Sequence, residues 1–289
     1  MMQNAVVISG VGIHSGARVD LFLKKCPFKS HTTESKKWSL HFQDQILFDS
    51  ALSDFSVEAH HNTTLDLGHL QIWTPEHFLA ALFFFEESVQ IHCEKMPENQ
   101  TFEFPLLDGS SQEWMNTFLE LGMTLRDLTT FGLSQKFSSK NENRIWNIVA
   151  APEFKITYEL ASWGSLTLSK NELIMCLNAR TFMRQDAFEK AKSKGLLQGI
   201  ESQTHVSFGI LYQPSALFAQ GVEILAGAPL RMEGEPLFHK ILDFLGDLAL
   251  EFLSLPRAHI TFKNCGHLEH HQVILCLRGA EKSMKADLI

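Results

Sequence analysis

Paired cysteines are missing from this chain. Its five cysteines, Cys26, Cys93, Cys176, Cys265 and Cys276, form no CxxC pair and are odd in number. That argues against a disulfide framework and leads us to expect reduced, mostly buried thiols in a cytoplasmic protein. Long Lys/Arg runs are missing too, and the net charge is −8, which excludes a general nucleic-acid binder. The longest unbroken apolar run, Phe78 to Phe85, has eight residues, whereas a membrane-spanning helix needs about 20. Met1-Met2-Gln3-Asn4-Ala5-Val6-Val7 carries no basic n-region, so no secretory signal is expected. Internal repeats and low-complexity tracts are also absent. What remains is ordinary globular composition, 45% hydrophobic and 20% charged over 289 residues, enough for one large or two medium domains with their own cores.

Alternation of Val19, Leu21 and Leu23 reads Arg18 to Leu23 as a half-buried strand. Ser39 to Phe48 reads as strand-like as well. Thr74-Pro75-Glu76-His77 opens a helix, with Thr74 as N-cap, Pro75 in the first helical position and Glu76 suiting the dipole; it runs to about Glu86. A strand over Ser88 to Cys93 and a helix over Gln112 to Leu121 complete a first α+β unit. Gly122 to Thr130 reads as a connector. Short strands follow at Ile145 to Val149, Glu153 to Tyr158, Leu166 to Leu168 and Ile174 to Leu177. Helices are expected at Asp186 to Lys194 and Glu235 to Leu253, then strands at His259 to Phe262 and Gln272 to Leu277. A β-rich stretch followed by helix, given twice, predicts two α+β domains with separate sheets, over residues 1–124 and 131–289.

The helix around 239 carries the strongest chemical pattern. His239, Asp243 and Asp247 stand four residues apart on one stripe, while Leu237, Ile241, Leu242, Leu245, Leu248 and Phe252 supply apolar bulk. A His and an Asp at that spacing reach one zinc, yet the same pair is common on solvated helices. Glu76 and His77 at a helix start offer a general base and a ligand on one turn, or an ordinary acidic first turn. Gly266 permits a tight turn that presents His267, whose imidazole Asp247 could hold protonated. His60-His61 and His270-His271 read as solvated loop or strand-edge residues. Gly10-Val11-Gly12-Ile13-His14-Ser15-Gly16 has neither P-loop nor dinucleotide spacing. Leu107-Asp108-Gly109-Ser110 reads as a turn, and Ala179-Arg180-Thr181-Phe182 offers a hydroxyl and an aromatic face.

These motifs together, with His-Lys-Ile-Leu-Asp-x-x-Gly-Asp over 239–247 and Gly-His at 266–267, span nearly the whole chain. In order and spacing the set resembles the zinc-dependent UDP-3-O-acyl-N-acetylglucosamine deacetylase family of lipid A biosynthesis. The resemblance implies that His77, His239 and Asp243 hold one Zn2+, with ferrous iron an alternative for the same ligands. It further implies Glu76 as general base, Thr181 as oxyanion donor, and His267, kept cationic by Asp247, as proton donor to the leaving amine. Lys240, Phe182 and Leu197 would meet substrate, an acylated UDP-amino sugar. His14 and Asp108-Gly109 would support the fold and the site. The implied fold is α+β, two pseudo-symmetric domains with helices sandwiched between two sheets, one insert forming a passage for the acyl chain. A cytoplasmic monomer in transient contact with the membrane is the corresponding expectation.

The chain departs from the pattern in two places. After Gly195-Leu196-Leu197-Gln198-Gly199 the family usually continues with a second glycine, a serine and soon an Asn-Ala pair. Here Ile200-Glu201-Ser202-Gln203-Thr204-His205 stands instead, and Met183 replaces a usual glycine. Both changes fall where the acyl passage would begin, and a carboxylate is an odd lining for a lipid tail. Two other readings therefore stand beside the leading one: a zinc amidohydrolase for a different N-acetylated nucleotide sugar, and an inactive substrate-binding or regulatory paralogue.

Overall fold

A computed structural model describes residues 5–26, 38–50, 56–59, 62–95, 100–201, 209–215 and 222–286. Two five-stranded sheets organise it. The first runs, in spatial order, Val6–Val11, Arg18–Cys26, Ser88–Cys93, Trp38–Phe42, Gln45–Asp49. The second runs Phe137–Asn141, Arg144–Ala150, Ala258–Lys263, Lys155–Leu160, Gly164–Ser169. Each consists of two antiparallel hairpins with the last strand in sequence inserted between them, antiparallel to one hairpin and parallel to the other. A parallel neighbour cannot be reached by a tight turn, so a crossover must intervene. Helix α1 (Glu76–Leu82) lies in the first crossover and α5 (Glu235–Ala249) in the second; α2 (Gln112–Glu120) and α6 (His267–Ala286) come after the inserted strands. Helices α3 (Gln185–Ser193) and α4 (Gln198–Glu201) stand beside a three-stranded sheet of Phe182–Arg184, Ile210–Pro214 and Val222–Ala226. A four-stranded sheet includes Thr63–Asp66 and precedes α1 in the chain except for its last strand, Thr101–Glu103.

Helix α5 packs on α1 and on α6, which is why it is buried nearly all round rather than on one face. Gly246 makes the α1 contact possible. A Cβ there would fall 2.1 Å from the Glu76 carbonyl oxygen, with two more α1 backbone atoms inside 3 Å. The missing side chain thus lets the first turn of α1 rest directly on α5.

Several expectations need correction. Thr74 is not the N-cap: it sits at φ 55° and donates its hydroxyl to Phe104 O, 3.2 Å away, while Pro75 takes the cap and the helix closes at Leu82. Ser39 to Phe48 is a hairpin, turning at Gln43 with φ 51°. Ile174 to Leu177 belongs to a 3-10 helix, Lys170–Asn178, started by the Glu172 carboxylate, which accepts from the Ser169 N–H at 2.8 Å and hydroxyl at 2.6 Å. Gln272 to Leu277 lies inside α6. The buried set His270, Val273, Leu277, Ala280 has helical spacing, and the Glu269 carboxylate accepts the Gly266 N–H at 2.9 Å to start the helix. Gly266 is not the residue with the special backbone there; Asn264, at φ 51°, makes the turn. The α+β class and the helices at 185–193 and 235–249 agree with the sequence reading.

Candidate metal centre and its acid–base groups

The site forms where α1, α5 and α6 meet. One helical turn brings His239 Nε2 to 3.2 Å from Asp243 Oδ1, and α1 brings His77 Nε2 to 3.6 Å from the same oxygen. The two imidazoles stand edge to face, 5.0 Å between centroids. A tetrahedral ion with ligands at about 2.0–2.1 Å sets its donors roughly 3.3 Å apart, so this spacing suits one divalent metal. His239 Nδ1 lies 3.1 Å from Ala179 O. A carbonyl only accepts, so the proton sits on Nδ1 and the Nε2 lone pair faces the group. Asp243 is buried, which disfavours its charge, yet His239 and Lys240 hold its carboxyl well below the usual range; Lys240 Nζ donates to Oδ2 at 2.8 Å. Burial pushes the neighbouring Glu76 carboxyl up to about 7, against the pull of His267 and His77. Glu76 Oε2 is buried without a hydrogen-bond partner among the described residues. An orphaned carboxylate oxygen beside a two-imidazole, one-carboxylate donor set fits a catalytic divalent metal.

Asp247, one turn beyond Asp243, gathers a second group. Its Oδ2 accepts from His267 Nδ1 at 2.9 Å and from His270 Nδ1 at 2.8 Å, and its Oδ1 accepts the Thr63 hydroxyl at 2.5 Å. Burial opposes a charge on His267, but Asp247, with help from Asp243 and Glu76, raises its pKa to about 9. His267 Nε2 lies 3.9 Å from Asp243 Oδ2, so the far side of the cationic ring faces the metal group.

A family model described as LpxC: UDP-3-O-acyl N-acetylglycosamine deacetylase matches residues 1–278. The chain belongs to that family. Among its relatives is the bifunctional enzyme LpxC/FabZ of Chlorobaculum tepidum, 27% identical over 96% of this chain and 63% of that protein. The UDP-3-O-acyl-N-acetylglucosamine deacetylase of Chlamydia trachomatis serovar L2 is 28% identical over 92% of this chain and 90% of its own. The protein of the same name from Trichormus variabilis is 27% identical over 94% and 95%. In this UDP-3-O-acyl N-acetylglycosamine deacetylase family member, His77, His239 and Asp243 form a group that could hold a metal ion.

Of the remaining predicted residues, Phe182 and Lys240 lie beside that group. Phe182 stands edge-on to His239 at 6.0 Å, with Lys240 Nζ 5.5 Å from its ring centre. Thr181 is pinned through its backbone, donating to Gly109 O at 2.6 Å and accepting from Ile210 at 2.9 Å. Leu197 is buried in the turn between α3 and α4; Leu196 O in that turn lies 2.9 Å from His14 Nδ1, and Gly199 in α4 donates to Ile13 O at 3.0 Å. The family's altered segment falls largely on 202–208, outside the described residues, as do His60 and His61.

Sequence reasoning missed the groups that hold these parts in place. The glycine-rich loop wraps the buried Glu103 carboxylate, which accepts from the His14 and Ser15 N–H groups at 2.9 and 2.8 Å; a Cβ on Gly12 would lie 2.2 Å from Glu103 Oε2. Its anion is internal. Glu235, in the first turn of α5, accepts from the Arg180 backbone, Nε and a terminal guanidinium nitrogen and from the Arg231 N–H, at 2.8 to 3.0 Å. That clamp fixes Ala179–Phe182 against α5, which puts Ala179 O on His239. Arg231 also pairs with Asp108 and so ties the Leu107–Ser110 turn to the same place. Thr63, His270 and His271 were missed as well. His270 and His271 were hidden by reading 272–277 as strand. Once α6 is helical, His270 falls one turn from His267 and is wholly buried, not solvated.

Proposed function

We propose that this chain hydrolyses the acetamide of UDP-3-O-(3-hydroxyacyl)-N-acetylglucosamine to acetate and the free amine, the committed step of lipid A biosynthesis. The observation that carries this is the junction of a His77–His239–Asp243 donor set, an unpartnered buried Glu76 and a cationic His267. Zinc held by the three donors supplies Lewis-acid polarisation of the carbonyl and makes water more acidic. Glu76, with a carboxyl near neutrality and one oxygen free, takes the proton from the attacking water. His267, charged and aimed into the group, steadies the developing negative charge and protonates the departing nitrogen. Asp247 keeps that imidazole charged and oriented. The Thr181 hydroxyl supports the oxyanion, Lys240 and Phe182 bind the sugar and phosphate, and Leu197 belongs to the acyl end of the site.

We take the repeated sheet topology as support for two pseudo-symmetric domains, residues 1–124 and 131–289, with the helices between the two sheets. No described helix is long and apolar enough to cross a membrane. The five free thiols support a reducing, cytoplasmic setting, with a monomer touching the membrane transiently to meet its substrate.

The deciding experiment is acetate release by the zinc-loaded protein from the 3-O-acylated UDP-sugar and from its non-acylated counterpart. Strong preference for the acylated form is expected. Equal turnover would favour a different N-acetylated nucleotide sugar, and no turnover with metal bound would favour a binding paralogue.

A further inference from the structure

His270 is a wholly buried imidazole beside the acid that the reaction itself does not use. It lies one turn after His267 on α6, and both rings direct Nδ1 at the same oxygen of Asp247, at 2.8 and 2.9 Å. The other edge of His270 is fixed too. Its Nε2 is 3.1 Å from the Tyr158 hydroxyl oxygen, which is itself anchored 2.7 Å from Cys265 O, so the Tyr158 side chain walls off that edge. Phe262 and Phe244 pack edgewise on the ring, 5.1 and 5.6 Å between centroids, and block its rotation. Asp247 meanwhile has a competing neighbour, His271 Nε2, 3.4 Å from Oδ1. With one donor removed, Oδ2 is held by His267 alone, and the carboxylate can rotate about its Thr63-bonded Oδ1 toward His271 and let His267 swing.

We propose that His270 is a positioning residue: it supplies the second hydrogen bond to Asp247 Oδ2, which with the Thr63 hydroxyl on Oδ1 holds the carboxylate in the plane that aims His267 Nε2 at the metal group. The hydrogen-bond distances make Asp247, His267 and His270 a hub of one acceptor oxygen and two donors, not a second metal site. This inference rests on the deacetylase reading only for its kinetic readout.

The test compares zinc-loaded wild type, His270→Leu and His270→Asn. Asparagine keeps an N–H donor close to the Nδ1 position, and leucine keeps bulk without a donor. Loss of an outer-shell partner costs roughly 10–100-fold in activity, so His270→Leu is expected to lose that much kcat with KM near wild type, and His270→Asn to recover most of it. In 1H–15N spectra the His267 Nδ1–H resonance is expected in wild type and His270→Asn and broadened away in His270→Leu. Elemental analysis is expected to give one metal per chain in all three. A leucine variant with wild-type kcat and an intact resonance would overturn the proposal. So would an asparagine variant as impaired as leucine, or a second metal equivalent lost on substitution. If wild type itself releases no acetate, the functional reading fails while the resonance still decides the positioning role.

Discussion

Glu76 has one buried carboxylate oxygen with no partner among the described residues, an arrangement that costs stability and is concentrated where a reaction uses the group. Glu76→Ala should keep the metal, because the three donors are untouched, and lose about 10²–10⁴-fold in rate, the scale of a general base. Near-normal turnover would assign the base elsewhere. Asp243 behaves differently, since both imidazoles converge on its Oδ1. Asp243→Ala should lose most of the bound metal, and full occupancy by elemental analysis would remove its ligand role.

Two contacts at the scale of elements decide whether those residues meet. Gly246→Ala drives a methyl group into the α1 backbone, which no rotamer change relieves. Overpacking typically costs about 1–3 kcal/mol, and here it should also weaken metal binding by moving His77 away from Asp243. Chemical denaturation and metal titration would both register the change; unchanged values would mean that α1 can shift freely. The Glu235 clamp governs the start of α5. Burial disfavours the Glu235 charge, but the Arg180 hydrogen bonds outweigh it and hold the carboxyl below its ordinary range. A depressed folded-state pKa contributes stability above the unfolded pKa and loses it as pH falls through the folded value. Breaking a buried pair costs about 3–5 kcal/mol, with Glu235→Gln expected near the low end because an acceptor remains. The Tm gap between wild type and Glu235→Gln should be widest near neutral pH and close in acid. A gap that stays constant down to pH 3 would contradict the ionic clamp.

The donor set joins elements from distant parts of the chain, His77 on α1 and His239 and Asp243 on α5. Metal binding should therefore stabilise the whole molecule by mass action, about 4 kcal/mol at a thousand times Kd. A large aliphatic and aromatic core packs around these helices independently of the donor set. Chelation should accordingly lower Tm while leaving the far-ultraviolet circular dichroism at room temperature intact. Unfolding on chelation would give the metal a larger structural share than the core implies.

Residue order alone was enough to mark which groups could do chemistry. Spacing of four placed His239, Asp243 and Asp247 on one stripe, because the helical period depends only on chain geometry, and Glu76-His77 came marked by a helix start. It also set the α+β class, through alternating strands such as Arg18–Cys26 set against helical periodicity in α5. It misread Ile174–Leu177 and Gln272–Leu277, where short β-branched and leucine-rich runs suit strand and helix alike and packing chose between them. Packing settled that α1 rests on α5 at Gly246, that the glycine-rich loop folds round Glu103, and that Thr63 and His270 converge on Asp247. Each of these joins residues far apart in sequence or depends on a helix identity fixed by packing. Local propensity has no access to such contacts, because they exist only once two sheets and their helices bury one another.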